Sequence, residues 1–159
     1  MHFPIVEINT KKKSRKEISG SFLDYESPTL NYFCDYYGEE YSASDRYELI
    51  KSKWIKKLFE GIADVDFRNG GSITFHSKEE IDKTLSDYFQ DILDELEKDK
   101  NSVGWHKFFL LRQKGHEFRD CSALFYVDGC AYTSMQFFED AYYYAGKTLY
   151  FGQVFDAHC

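Results

Sequence analysis

At 159 residues, with 43% apolar and 19% aromatic content, the chain is long enough for one packed domain and too rich in Phe (15) and Tyr (13) for global disorder. A net charge of −7 argues against a protein dedicated to gripping nucleic acid or anionic lipid, because phosphate binding runs on Lys and Arg. Met1-His2-Phe3-Pro4 lacks the apolar core of a signal peptide and no run nears the roughly 18 apolar residues of a membrane span. A cytoplasmic protein with its four cysteines reduced is therefore expected.

Taken in chain order, Phe3 to Ile8 predicts a short strand running into Lys11, Lys12, Lys13, Arg15 and Lys16, a basic cluster expected to form an exposed hairpin or loop end. Ser27-Pro28-Thr29 predicts a helix start; Leu30, Phe33, Cys34 and Tyr37 follow at helical spacing, with Gly38 as the stop. Ser42 to Asp45 supplies an N-cap for one amphipathic helix. Tyr47, Ile50, Trp54, Ile55 and Leu58 form its apolar face, Lys51, Lys53, Lys56 and Lys57 the other, and Gly61 its end.

Asn69-Gly70-Gly71 predicts a turn before a brief strand at Ile73 and Phe75. Ser77 with Glu80 is a capping box opening a helix to Lys98, whose stripe of Ile81, Leu85, Tyr88, Phe89, Ile92 and Leu96 is expected to be buried. Val103, Trp105, Phe109 and Leu111 suggest a strand. Cys121 to Val127 and Cys130 to Thr133 predict a hairpin around Asp128-Gly129. It carries Ala123, Phe125, Val127 and Tyr132 on one face and Leu124, Tyr126 and Ala131 on the other, so a central pair covered on both sides is expected. Ser134 caps a short helix reaching Tyr144, Gly146 stops it, and Thr148 to Phe155 reads as the last strand. The expectation is a single α+β domain over residues 1–159. Its mostly antiparallel sheet comes from the C-terminal half, with the N-terminal helices packed on one face.

No catalytic constellation follows from these residues. His116-Glu117-Phe118-Arg119-Asp120 has the outline of a zinc-protease spacing, but that chemistry needs both ligands on one helical face, and the segment is expected to be a loop. His158-Cys159 are adjacent and cannot readily chelate one ion together. Cys121 or Cys130 with His106 or His116 has the types of a thiol nucleophile and base without a spacing that joins them. Gly70-Gly71 lacks the lysine of a phosphate loop. No cofactor and no metal are expected.

The acidic residues are the remaining signal. Residues 77–100 hold nine acids against four lysines, and residues 21–49 hold seven acids against Arg46 alone. Tyr32, Tyr36, Tyr37 and Tyr41 stand among Asp35, Glu39 and Glu40. Tyrosine anchors interfaces cheaply in entropy, and carboxylates beside it complement a basic partner. The expected function is a non-enzymatic inhibitor or adaptor binding a basic protein, such as a nuclease or another nucleic-acid-binding effector. Toxin immunity proteins and phage inhibitors of bacterial defence are comparable in size and composition only. The binding residues expected are Asp35, Tyr36, Tyr37, Glu39, Glu40 and Tyr41, with Asp87, Asp91, Asp94 and Glu95 on the long helix. The rival is a small enzyme or ligand-binding domain with an aromatic pocket near Trp105, Tyr126 and Tyr132. A third reading, nucleic-acid binding through Lys11–Lys16, is disfavoured by the net charge, and no direct nucleic-acid contact is expected.

Overall fold

The computed structural model describes residues 2–20, 23, 26–34, 36–98, 104–117 and 123–158; within these, the side chains of 2, 36–40, 43, 54, 114–117, 135 and 139 are not described. The fold is α+β, built on a seven-stranded mixed sheet. The strands are β1 (His2–Asn9), β2 (Tyr36–Glu40), β3 (Ala63–Asp66), β4 (Ser72–Phe75), β5 (Leu124–Val127), β6 (Cys130–Thr133) and β7 (Thr148–His158). Their order is β3-β4-β7-β1-β5-β6, with β2 also paired to β7. All pairings are antiparallel except β1 with β5. The mostly antiparallel expectation holds, but four of the strands come from the first half of the chain, so the sheet is not a product of the C-terminal half. The last strand to be made, β7, is its centre.

Helices α1 (Arg15–Ser19), α2 (Pro28–Phe33), α3 (Ala43–Ile50), α4 (Lys53–Phe59), α5 (Lys78–Lys98), α6 (Gly104–Glu117) and α7 (Ser134–Glu139) surround it. Two buried clusters lie on opposite faces, as alternation along the strands requires. Val6, Ile8, Phe125, Val127 and Phe151 join Ile55, Phe59, Ile81 and Phe137 in the larger one. Ile5, Leu124, Tyr126 and Phe155 join Leu23 and Leu30 in the other. Helix α2 thus contributes to one face and α4 to the other, so the N-terminal helices do not share a face. Much of the aromatic content sits in the larger cluster. The Phe59 ring meets Phe75, Phe125 and Phe137 edge-on at 6.1–6.2 Å, and Phe125 stacks on Phe137 at 4.7 Å.

Local chemistry sets most boundaries. The Asp128-Gly129 turn has φ of 49° and 87°, the pair of positive values that a tight hairpin needs, and pairs Val127 with Cys130. Both faces of β5 are buried, but β6 lies at the sheet edge, so the hairpin is lateral rather than central. Helix α2 docks on that hairpin: Ser27 Oγ donates to Gly129 O at 3.1 Å, and Ala131 N donates to Thr29 Oγ1 at 2.8 Å. Ser77 and Glu80 make the reciprocal capping contacts of α5, at 3.0 and 3.3 Å. Thr133, one residue earlier than expected, caps α7 with Gln136.

Several elements differ from expectation. The chain from 43 to 59 forms two helices: Ser52 stands at the N-cap position of the second with no side-chain capping bond, and its hydroxyl donates back to Leu49 O at the end of the first. Helix α2 ends at Phe33, and Tyr36 to Glu40 is a strand whose bulge falls at Gly38, not a helix stopped by that glycine. Residues 104–117 are helical, not a strand. No helix among the described residues is long and apolar enough to cross a membrane.

Candidate functional site

The middle of β7 is irregular, and a cleft opens beside it. On one side, β1 pairs Val6 with Val154 and Ile8 with Phe151, so Gly152 and Gln153 together face Glu7 in a bulge. On the other side, β4 pairs as far as Tyr150 and β2 begins at Phe155. Phe151–Val154 therefore lies in a notch between two strands.

Polar side chains fill the bulge. Gln153 N donates to Glu7 Oε2 at 2.8 Å, and Lys13 Nζ pairs with Glu7 Oε1 at 2.6 Å. A Cβ on residue 152 would collide with the Glu7 carboxylate and Asn9 Nδ2, so glycine is required there. Arg46, only 9% exposed, reaches in from α3. Its Nε donates to Gly152 O at 2.6 Å, and its Nη2 to Phe151 O at 3.0 Å and Gly70 O at 3.1 Å. Burial lowers the affinity of this guanidinium for its proton, and the Glu7 carboxylate opposes that shift.

Above the notch opens a cleft of about 1520 Å³. Lys12, Lys13, Arg15 and Lys16 form one wall; Tyr41, Ser42 and Tyr47 at the start of α3 form another; Phe67, Arg68 and Asn69, between β3 and β4, close it. Among the described residues that line it, six of seventeen are Lys or Arg and none is Asp or Glu, so this lining is cationic in an acidic chain. Lys51 sits over the Tyr47 ring at 5.4 Å and Lys56 over the Phe67 ring at 5.3 Å. Arg68 also pairs with Asp66 at 3.0 Å, holding that carboxyl below its usual range through a backbone and a side-chain hydrogen bond.

The residues expected to bind a partner fall in two groups on different elements. Tyr36, Tyr37, Glu39 and Glu40 lie on β2, opposite the C-terminal end of β7; Asp35 lies outside the described residues. Tyr41 follows β2, half-buried on the cleft wall, with its hydroxyl pushed up by burial and by Asp156 and Asp45. Asp87, Asp91, Asp94 and Glu95 are all exposed on α5. At 100° per residue, Asp87, Asp91 and Asp94 share one side of that helix and Glu95 lies further round.

The apolar stripe of α5 is wider than its cover. Ile81 and Ile92 are buried, but Leu85 is 41% and Phe89 57% exposed, contrary to expectation. Phe89 points roughly opposite to the row of Asp87, Asp91 and Asp94 by the same helical count. The following helix adds Trp105, Phe108 and Phe109, each at least 50% exposed. Trp105 stacks on Phe108 and meets Phe109 edge-on, both at 5.5 Å. Sequence reasoning missed this aromatic face because it read the segment as a strand.

The aromatic pocket proposed near Trp105, Tyr126 and Tyr132 does not form: Trp105 is exposed on α6, Tyr126 belongs to one buried cluster, and Tyr132 packs against the other. His116 and Glu117 lie in the last turn of α6 rather than in a loop, and 118–120 lie outside the described residues. No group of three metal-ligating side chains occurs among the described residues. Cys34 is buried and Cys130 half-buried; Cys121 and Cys159 lie outside the described residues. Compared with protein-family models, curated proteins and solved structures, the chain matches none of them.

Proposed function

We propose that the chain is a non-enzymatic inhibitor or adaptor that docks on a basic protein through α5 and α6. The observation that carries this reading is the set of large apolar side chains left open on these two helices: Leu85, Phe89 and Leu93, then Trp105, Phe108 and Phe109. Exposed large apolar side chains grouped on two neighbouring helices are the kind of surface that marks an interaction site. The partner's charge follows from α5. Between Thr84 and Glu97 the helix carries five acids and no Lys or Arg. The row of Asp87, Asp91 and Asp94 lies on the side of the helix away from Phe89, so these acids act on a basic protein through their field during approach while the apolar side chains make the contact.

In this reading the carboxylates of Asp87, Asp91 and Asp94 draw the partner in, and the aromatic residues of α6 hold it. The partner's basic surface is occluded where phosphates or an acidic substrate would otherwise bind, and no residue of this chain reacts. The segment with Asp35, Tyr36, Tyr37, Glu39, Glu40 and Tyr41 is proposed as a second contact surface for the same class of partner.

The test begins with recovery of the native partner by co-purification and its identification. Trp105→Ala with Phe108→Ala should then speed dissociation about 30-fold or more, as expected for buried aromatic anchors. Circular dichroism should be unchanged, since both residues are exposed. Unchanged dissociation, or a purified protein that already self-associates through this face, would remove the proposal.

A further inference from the structure

Net charge describes a molecule only from a distance. At 0.1 M ionic strength, fields are screened beyond about 10 Å, so a ligand entering a cleft responds to the charges lining it. The cleft over the β7 notch is cationic and concave. Its volume of about 1520 Å³ exceeds the roughly 300–1,000 Å³ of ordinary small-molecule pockets.

Half of its cations already have structural work. Lys13 pairs with Glu7, Arg68 with Asp66, and Arg46 ties the bulge carbonyls. Lys12, Arg15 and Lys16 are exposed and hold no comparable post in the fold. Two aromatic rings, Tyr47 and Phe67, accompany them on the facing walls, and the ammonium groups of Lys51 and Lys56 lie over those rings. Cations beside aromatic rings in an open cleft of this size suit a strand of phosphates with unpaired bases. A duplex would hide its bases from the rings, and a lone phosphate would not use the rings.

We propose that this cleft binds a short stretch of single-stranded nucleic acid, with Lys12, Arg15 and Lys16 on the phosphates and Tyr47 and Phe67 against the bases. The site is independent of the α5–α6 docking surface. The acids of α5 are not among the residues that line it.

Fluorescence anisotropy with labelled ten-nucleotide oligo-dT and oligo-U tests it on the full chain. With about three phosphates neutralised, affinity should fall about 20-fold between 50 and 200 mM salt. Lys12→Ala/Arg15→Ala/Lys16→Ala should weaken binding at least tenfold at 50 mM salt and flatten the salt dependence. Tyr47→Ala should weaken it at every salt concentration without changing the slope. Asp87→Lys/Asp91→Lys/Asp94→Lys, which alters only the docking surface, should not weaken it. Four results would overturn the proposal: no binding of either oligonucleotide at 100 µM protein, equal binding by the triple alanine variant, tighter binding to a ten-base-pair duplex, or complete competition by 5 mM inorganic phosphate at constant ionic strength.

Discussion

Replacing Arg46 by methionine keeps the length and most of the volume of the side chain but removes every donor. Three main-chain carbonyls, those of Gly70, Phe151 and Gly152, then lose a charged partner at 2.6–3.1 Å. Bonds to a charged group contribute about 1.5–3 kcal/mol each, so the gross loss is about 5–9 kcal/mol. Two effects reduce it: the cost of burying the guanidinium disappears, and the cleft lets water reach part of the notch. A net loss of about 3 kcal/mol remains, which for a chain of this size lowers Tm by about 6–12 °C. Arg46→Lys retains the charge without the fork and should recover only about 1 kcal/mol of it. Urea unfolding followed by far-ultraviolet circular dichroism measures both variants, with the denaturant slope unchanged. A loss under about 1 kcal/mol for the methionine variant would show that the notch does not depend on Arg46.

Three further outcomes follow from particular contacts. Gly152→Ala drives a Cβ into the Glu7 carboxylate, breaking the Glu7 bond to Gln153 N and its ion pair with Lys13; chemical denaturation should show a loss of about 2–4 kcal/mol. Ile81→Ala, in the larger cluster, should cost about 2–4 kcal/mol, while Leu85→Ala should cost less than about 1 kcal/mol, because that side chain is 41% exposed; equal costs in the same assay would contradict the half-covered helix. The Glu80 carboxyl is held below its usual range by its backbone and side-chain hydrogen bonds to Ser77. Its contribution is present above the ordinary carboxylate range and lost as pH falls through its lowered value, so Glu80→Gln should flatten the acid side of the stability–pH curve, measured by thermal unfolding from pH 3 to 7.

Local signals were legible where one short segment decides the outcome. The Asp128-Gly129 hairpin, including which residues share each face, follows from alternation and from two positive-φ positions. The Ser77–Glu80 capping box and the Ser42 cap are likewise contained in four residues. Signals failed where distant partners decide. Tyr36 to Glu40 becomes a strand because the end of β7 offers it an edge some 120 positions away. Residues 104–117 alternate loosely enough to suggest a strand, yet good helix formers such as Leu110, Arg112 and Gln113 run through them, and helix is what forms. The stripe of α5 was visible, but not that only part of it would be covered. The basic cluster was visible as a tail; Arg46, Tyr47 and Arg68, which turn it into a cleft, lie more than 25 positions further along and join it only through the β7 notch.

The central claim is that acids on α5 draw in a basic partner. The most direct measurement is the association rate of the identified partner with wild type and with Asp87→Lys/Asp91→Lys/Asp94→Lys, from 25 to 300 mM salt. Steered association predicts that the wild-type rate falls at least tenfold over that range and that the variant associates at least tenfold more slowly at low salt, with a nearly flat salt profile. Equal rates and equal salt profiles for the two proteins, with the fold intact, would contradict the account and leave α5 a solvated surface.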